Sequence, residues 1–188
     1  PNERVITIED SAELVISHIE NKVQMECRAA NSIGKGEVSM TQLIRTSLRM
    51  RPDRIIVGEV RGKEVIDMVQ AMNTGHDGSL STGHANSTED MLSRLETMVL
   101  MGMEMPISAV RRQIASGIDV IVHLGRMRDK TRKVLKIVEV LDCEEGEIKL
   151  KTLYEFRERT EVDGRIQGAW IKVHEMEKKE KLLAAGYS

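Results

Sequence analysis

The sequence predicts an α/β fold, an open sheet of parallel strands with antiparallel hairpins added at one edge. Three observations carry this reading. Short β-branched runs, Val5-Ile6-Thr7-Ile8 and Ile55-Ile56-Val57, alternate with stretches of helical periodicity. Proline and glycine punctuate the boundaries between them. After "DVIVHL" the period drops to two, in "RKVLKIVEVLD" and "GEIKLKTLYEF" around Glu144-Glu145-Gly146, which is the pattern of antiparallel hairpins.

In chain order, "RVITIED" reads as a first parallel strand ending on Glu9 and Asp10. Ser11 to Glu37 is irregular, with a short strand near Lys22 to Cys27. Met40, Leu43, Ile44, Ser47 and Leu48 have helical spacing behind Ser39 as N-cap, and Pro52 ends that helix. After the strand at Ile55 to Val57, the positions Val65, Met68, Val69 and Met72 mark a second helix closed by Gly75. "SLSTGHA" gives a third strand and a loop. Ser87 and Asp90 then resemble a capping box before the stripe Met91, Leu92, Leu95, Met98 and Val99, which Gly102 closes. Pro106 opens a helix with Ile107, Val110 and Ile114 on one face and Gly117 as its stop. "DVIVHL" is a further strand, "RIQGAWIKV" one more, and "EMEKKEKLLAAGYS" a polar terminal helix. The expected division is 1–125 for the core that carries Glu9, Glu59 and His84, and 126–188 for antiparallel strands and a terminal helix completing the same domain.

With 188 residues there is room for one domain with a real core. The balance of 28 Lys and Arg against 30 Asp and Glu gives a net charge of -2, with no whole-chain attraction to nucleic acid or anionic lipid. Cys27 and Cys143 lack metal-ligand spacing, and such usage suits a reducing cytosol. No apolar run reaches the length of a membrane span. The opening Pro1-Asn2-Glu3-Arg4, without an initiator Met, reads as cut from something longer.

Strand ends deliver the polar groups that matter: Glu9 and Asp10 after "VITI", Glu59 after "IIVG" and His84 after "SLSTG". In an open parallel sheet the ligand lies outside the carboxyl ends of the strands, so these groups can converge on one crevice. A carboxylate there is placed to hold Mg²⁺, directly or through water, while the ion bridges phosphate oxygens. Taken singly, each has an ordinary reading: Glu59 as a surface strand end, Asp10 as a turn cap, His84 as a satisfied loop histidine. Order and spacing together favour the nucleotide site. His76 and His84 lack further ligands at zinc spacing. Met98, Met101, Met103 and Met105 are read as core and helix-end packing, with a subunit contact as the alternative.

These residues resemble the hexameric secretion ATPases of type II and type IV secretion and pilus assembly, and most of all the motor of tight-adherence (Flp) pili. "VITIEDSAEL" resembles the Asp box of that family. "LRMRPDRIIVGEVRG" resembles its Walker B segment, with Glu59 in the acidic position and Arg61 in the arginine position. "TGHDGSLSTGHANS" is similar to its His box, with His84 as the histidine. "MLSRLETMVLM" and "RRQIASGIDVIVHLGRMRDKTRKV" also look like the family. The resemblance implies a RecA-like P-loop core, here partial, in an ATP-driven motor working as a homo-oligomeric ring of six. It would work in the cytoplasm, peripheral to the inner membrane, against a secretion or pilus platform protein and without nucleic acid. It implies ATP and Mg²⁺ as cofactors, with Glu59 organising Mg²⁺ through water and Glu9 polarising the attacking water. Which of Glu9 and Glu59 is the base stays open. His84 would contact the γ-phosphate, and Glu59, Arg61 and Asp10 would serve nucleotide binding. Arg45 and Arg49 precede the Walker B strand, as solvated helix charges or facing a neighbouring subunit.

One departure from the family is large. No GxxxxGK[ST] run is present, and "SIGKGE" lacks both its leading glycine and the hydroxyl residue after Lys35. In the family that loop lies upstream of the Asp box, so the isolated chain is expected to bind ATP weakly and not to hydrolyse it usefully. The alternative is a split or truncated non-catalytic module that docks on a partner bearing the P-loop.

Overall fold

In the computed structural model, which describes residues 2–187, the chain divides into two compact units, Pro1–Gly117 and Ile118–Ser188. The first is built on β1 (Val5–Glu9), β2 (Lys22–Glu26), β3 (Arg54–Val57) and β4 (Leu80–Ser81), all parallel, in the order β2-β1-β3-β4. β1 is buried along its whole length, as expected of a parallel strand covered on both faces. β2 alternates exposed and half-buried positions because it is an edge. The register sets Ile8 beside Val57, and the Gly58 amide donates to the Ile8 carbonyl at 2.8 Å. Glu9 and Gly58 therefore leave the sheet at the same level.

Four helices complete this unit. α1 (Met40–Ser47) begins at a capping box in which Ser39 Oγ accepts from the Gln42 amide and the Ser39 amide donates to Gln42 Oε1 at 2.9 Å, an arrangement that stabilises by about 1 kcal/mol. It ends before Pro52, passing through a 3-10 turn at Leu48–Met50 into Arg51 at φ 54°. α2 is Val65–Met72. α3 (Thr88–Gly102) starts where Ser87 Oγ accepts from the Asp90 amide at 3.0 Å, and α4 (Ile107–Gly117) follows Pro106. Their buried faces hold Ile44, Val65, Val69, Leu95, Val110 and Ile114, which are positions of the apolar stripes read from the sequence. Asp67 is the buried exception on α2, and Arg45 Nε donates to its Oδ1 at 2.7 Å. Arg45 thus has a partner within the unit rather than being a purely solvated charge.

The second unit is a separate antiparallel sheet of β5 (Val120–Arg126), β6 (Arg132–Glu144), β7 (Glu147–Val162) and β8 (Arg165–Lys172), in sequential order. This corrects one expectation. The hairpins do not extend the parallel sheet at its edge; the strand read in "DVIVHL" pairs with β6 and opens their own sheet. Physically, β5 alternates between half-buried and exposed positions, the two-faced pattern of antiparallel pairing rather than of a doubly covered strand. The turn at Glu145 (φ 50°) and Gly146 (φ 82°) has the two positive φ values of a type I′ hairpin. The terminal helix is only α5 (Glu180–Ala184). Just before it, the amides of Glu177 and Lys178 donate to the buried carboxylate of Glu139, at 2.9 and 2.7 Å, and so are taken by β6 instead of by a longer helix.

Candidate functional site

The site grows from the carboxyl end of β3. Beyond Gly58, Glu59 Oε2 accepts from Arg61 Nε at 2.7 Å and also from Nη2, while Glu59 Oε1 lies 3.1 Å from His84 Nε2. The Glu59 side chain is 18% exposed and that of His84 82% exposed, so the acid is set into the surface and the imidazole stands over it in solvent. The backbone at Arg61 is held by Glu64, whose Oε1 accepts from the Arg61 and Gly62 amides at 2.6 and 2.8 Å. His84 is delivered by the segment after β4. There Thr82 Oγ1 donates to the Gly58 carbonyl at 2.6 Å and the Val60 amide donates to the Thr82 carbonyl at 3.0 Å. Gly83 packs under the end of the Met91 side chain of α3; a Cβ there would fall 2.6 Å from Met91 Cε, a crowding that the flexible methionine can relieve by moving.

These contacts set the charge states. The hydrogen bond from Arg61 holds the Glu59 carboxyl below the ordinary carboxylate range, and the charges of Arg61, His84 and Arg94 add to it. Arg61 is held above its ordinary value, first by its hydrogen bond to Glu59 and then by that acid's charge, with smaller contributions from Asp10 and Glu13. The result is an ionised acid beside a permanent cation and an exposed imidazole.

Glu9 ends the neighbouring strand but faces another way. It is 5% exposed, and its Oε1 accepts from the amides of Glu13 and Leu14 at 3.1 and 3.0 Å. Asp10 accepts from the Cys27 thiol; burial first, then that hydrogen bond and the Asp10 charge, push the thiol up to about 11. Asp10 and Cys27 line an open cavity of about 510 Å³ together with Arg28, Glu37 and Ser39. Of the residues singled out in the sequence, Glu59, Arg61 and His84 are in direct contact, Glu9 is beside them on the next strand, and Asp10 reaches them only through its field on Arg61. Glu13 and Arg94 were not singled out. The sequence signal for Glu13 was its place four residues past Glu9, and for Arg94 its place in the second turn of the helix that follows His84.

An ionised carboxylate at a parallel strand end, flanked by a fixed cation and an imidazole, is suited to polyphosphate chemistry, which asks for positioning and charge stabilisation. Mg²⁺ keeps most of its waters and takes one or two carboxylates. Glu59, ionised and only partly covered, fits that role through water. The ion, when bound, would neutralise charge on the phosphates.

Comparison with known proteins agrees with this geometry. The family described as Type II/IV secretion system protein matches residues 1–183. A candidate conjugal transfer protein of Mycobacterium tuberculosis is 42% identical over 154 residues, which are 82% of this chain and 43% of that protein. The type IV secretion system protein PtlH of Bordetella pertussis is 38% identical over 129 residues, 67% of this chain and 38% of that protein. The crystal structure of the VirB11 ATPase from the Brucella suis type IV secretion system shares its fold with this chain, with a TM-score of 0.65 and 34% identity over 73% of this chain and 40% of that one. The chain thus spans less than half the length of each of these relatives.

Proposed function

This chain belongs to the type II/IV secretion system protein family, and from that we propose that it is the carboxyl-terminal part of an ATP-hydrolysing motor for secretion or pilus assembly. The observation that supports this best is the Glu59–His84 contact at 3.1 Å, made by residues from the ends of two parallel strands. In this reading Glu59 holds Mg²⁺ through water and serves as the base. His84 contacts the γ-phosphate, and Arg61 keeps Glu59 ionised and aimed. The nucleotide is ATP, gripped by a phosphate loop elsewhere in the parent protein. The parent acts as a ring of six at the cytoplasmic face of an inner-membrane platform protein, with residues 1–125 and 126–188 serving one ATPase domain.

Titration calorimetry of the isolated 188 residues with Mg-ATP tests the dependence on that loop. A Kd weaker than about 1 mM, no more than about 4 kcal/mol of binding, is expected. Micromolar affinity would overturn the proposal that nucleotide binding needs a phosphate loop outside this chain.

A further inference from the structure

We infer that Glu9 is a positioning residue, one that builds the site through its stem and its acceptor oxygen rather than by taking a proton. The inference rests on the nucleotide reading above. Its first support is packing. A Cβ on Gly58 would lie 3.0 Å from Glu9 Cγ and 3.6 Å from both Glu9 Cβ and Oε1. Gly58 does not have positive φ, so the glycine there answers to the Glu9 stem and not to backbone conformation. The residue so packed directly precedes Glu59, and it is fixed on its other side by Thr82, two residues before His84.

The second support is hydrogen bonding. Glu9 Oε1 accepts both the Glu13 and the Leu14 amide, at 3.1 and 3.0 Å, and so folds the acidic segment Asp10 to Glu13 back over the end of β1. One nearly buried side chain therefore orders two backbone segments, the one leading into Glu59 and the acidic stretch Asp10 to Glu13. Both tasks need a carbonyl-type oxygen and a two-carbon stem; neither needs a titrating carboxyl.

The discriminating set is Glu9→Gln, Glu9→Ala, Gly58→Ala and the double variant Glu9→Ala/Gly58→Ala in the full-length parent protein. The readouts are kcat, KM and pH profile of ATP hydrolysis, with hydrogen exchange of residues 10–14. Glu9→Gln is expected to stay within about threefold of the native kcat with an unchanged pH profile, because the amide oxygen accepts the same two bonds, whereas Glu9→Ala falls about tenfold or more. Gly58→Ala is expected to cost about tenfold alone but under about twofold on top of Glu9→Ala, since the stem it strikes is gone. A Glu9→Gln variant as inactive as Glu9→Ala, with an altered pH profile, would assign Glu9 to proton transfer and overturn the inference. So would fully additive Gly58→Ala and Glu9→Ala losses.

Hydrogen exchange separates this inference from the nucleotide reading. Exchange in 10–14 is expected to speed up about tenfold in Glu9→Ala and not in Glu9→Gln, whether or not ATP is hydrolysed. Unchanged exchange in Glu9→Ala overturns the positioning role by itself, while a parent with no ATP hydrolysis overturns only the nucleotide reading.

Discussion

Glu59 Oε1 and His84 Nε2 lie 3.1 Å apart although they leave different strands, and the Thr82 hydroxyl on the Gly58 carbonyl ties the two segments together just before that contact. The pair is therefore held by backbone as well as by its own attraction. Glu59→Gln keeps the volume and removes the charge. In the parent protein it is expected to lower kcat for ATP hydrolysis by about a hundredfold or more. His84→Ala is expected to cost about tenfold, with steady-state kinetics giving both values. Native kcat in Glu59→Gln would remove Glu59 from the chemistry.

Cys27 is expected to react slowly. A thiol raised from 9.0 to about 11 holds about a hundredfold less thiolate at pH 8. Alkylation by iodoacetamide in a Cys143→Ser background should be slowed accordingly, and Asp10→Asn should accelerate it by removing the carboxylate that opposes ionisation. Equal rates for Cys27 and a free thiol would contradict this.

Acid should loosen the second unit through Asp129. Its Oδ2 accepts the Ile166 amide at 2.7 Å, and its Oδ1 accepts the Thr131 amide and hydroxyl at 3.0 and 2.7 Å. The bond from Ile166 first, then those from Thr131, lower the carboxyl from 3.8 to about 2. Because the folded value is the lower one, the contribution is complete above pH 4 and is lost as pH falls toward 2. Amide exchange at Ile166 should speed up over that interval, and Asp129→Asn should abolish the pH dependence.

Two substitutions calibrate the first unit. Ile114→Ala empties a fully buried position on α4 and is expected to cost about 2–5 kcal/mol. Ser87→Ala removes the acceptor of the Asp90 amide and is expected to cost about 1 kcal/mol. Urea denaturation measures both, and a larger loss at Ser87 than at Ile114 would contradict the assigned core.

Much of this arrangement is legible in the sequence because local chemistry decides it. Ser39 and Ser87 can cap because their hydroxyls sit at the entry to a helical stripe, and Glu145-Gly146 can turn because Gly146 takes positive φ without steric cost. Glu59, Arg61 and His84 meet because parallel strands deliver their carboxyl ends to one side. What stays hidden depends on which neighbour a group finds in space. The pairing of Glu9 with two backbone amides has no periodic signature, and neither does the packing of its stem on Gly58. Arg94 reaches Glu59 only after α3 is docked. The separation of the antiparallel strands into their own sheet was hidden too, since strand period reports facing but not which sheet a strand joins.

The central claim is that Glu59 and His84 serve a nucleotide whose phosphates are gripped outside this chain. A structure of the parent protein with Mg²⁺ and a non-hydrolysable ATP analogue measures it most directly. Glu59 should then be linked to the ion through water, with His84 facing the terminal phosphate. A nucleotide seated away from the carboxyl ends of β3 and β4 would contradict it.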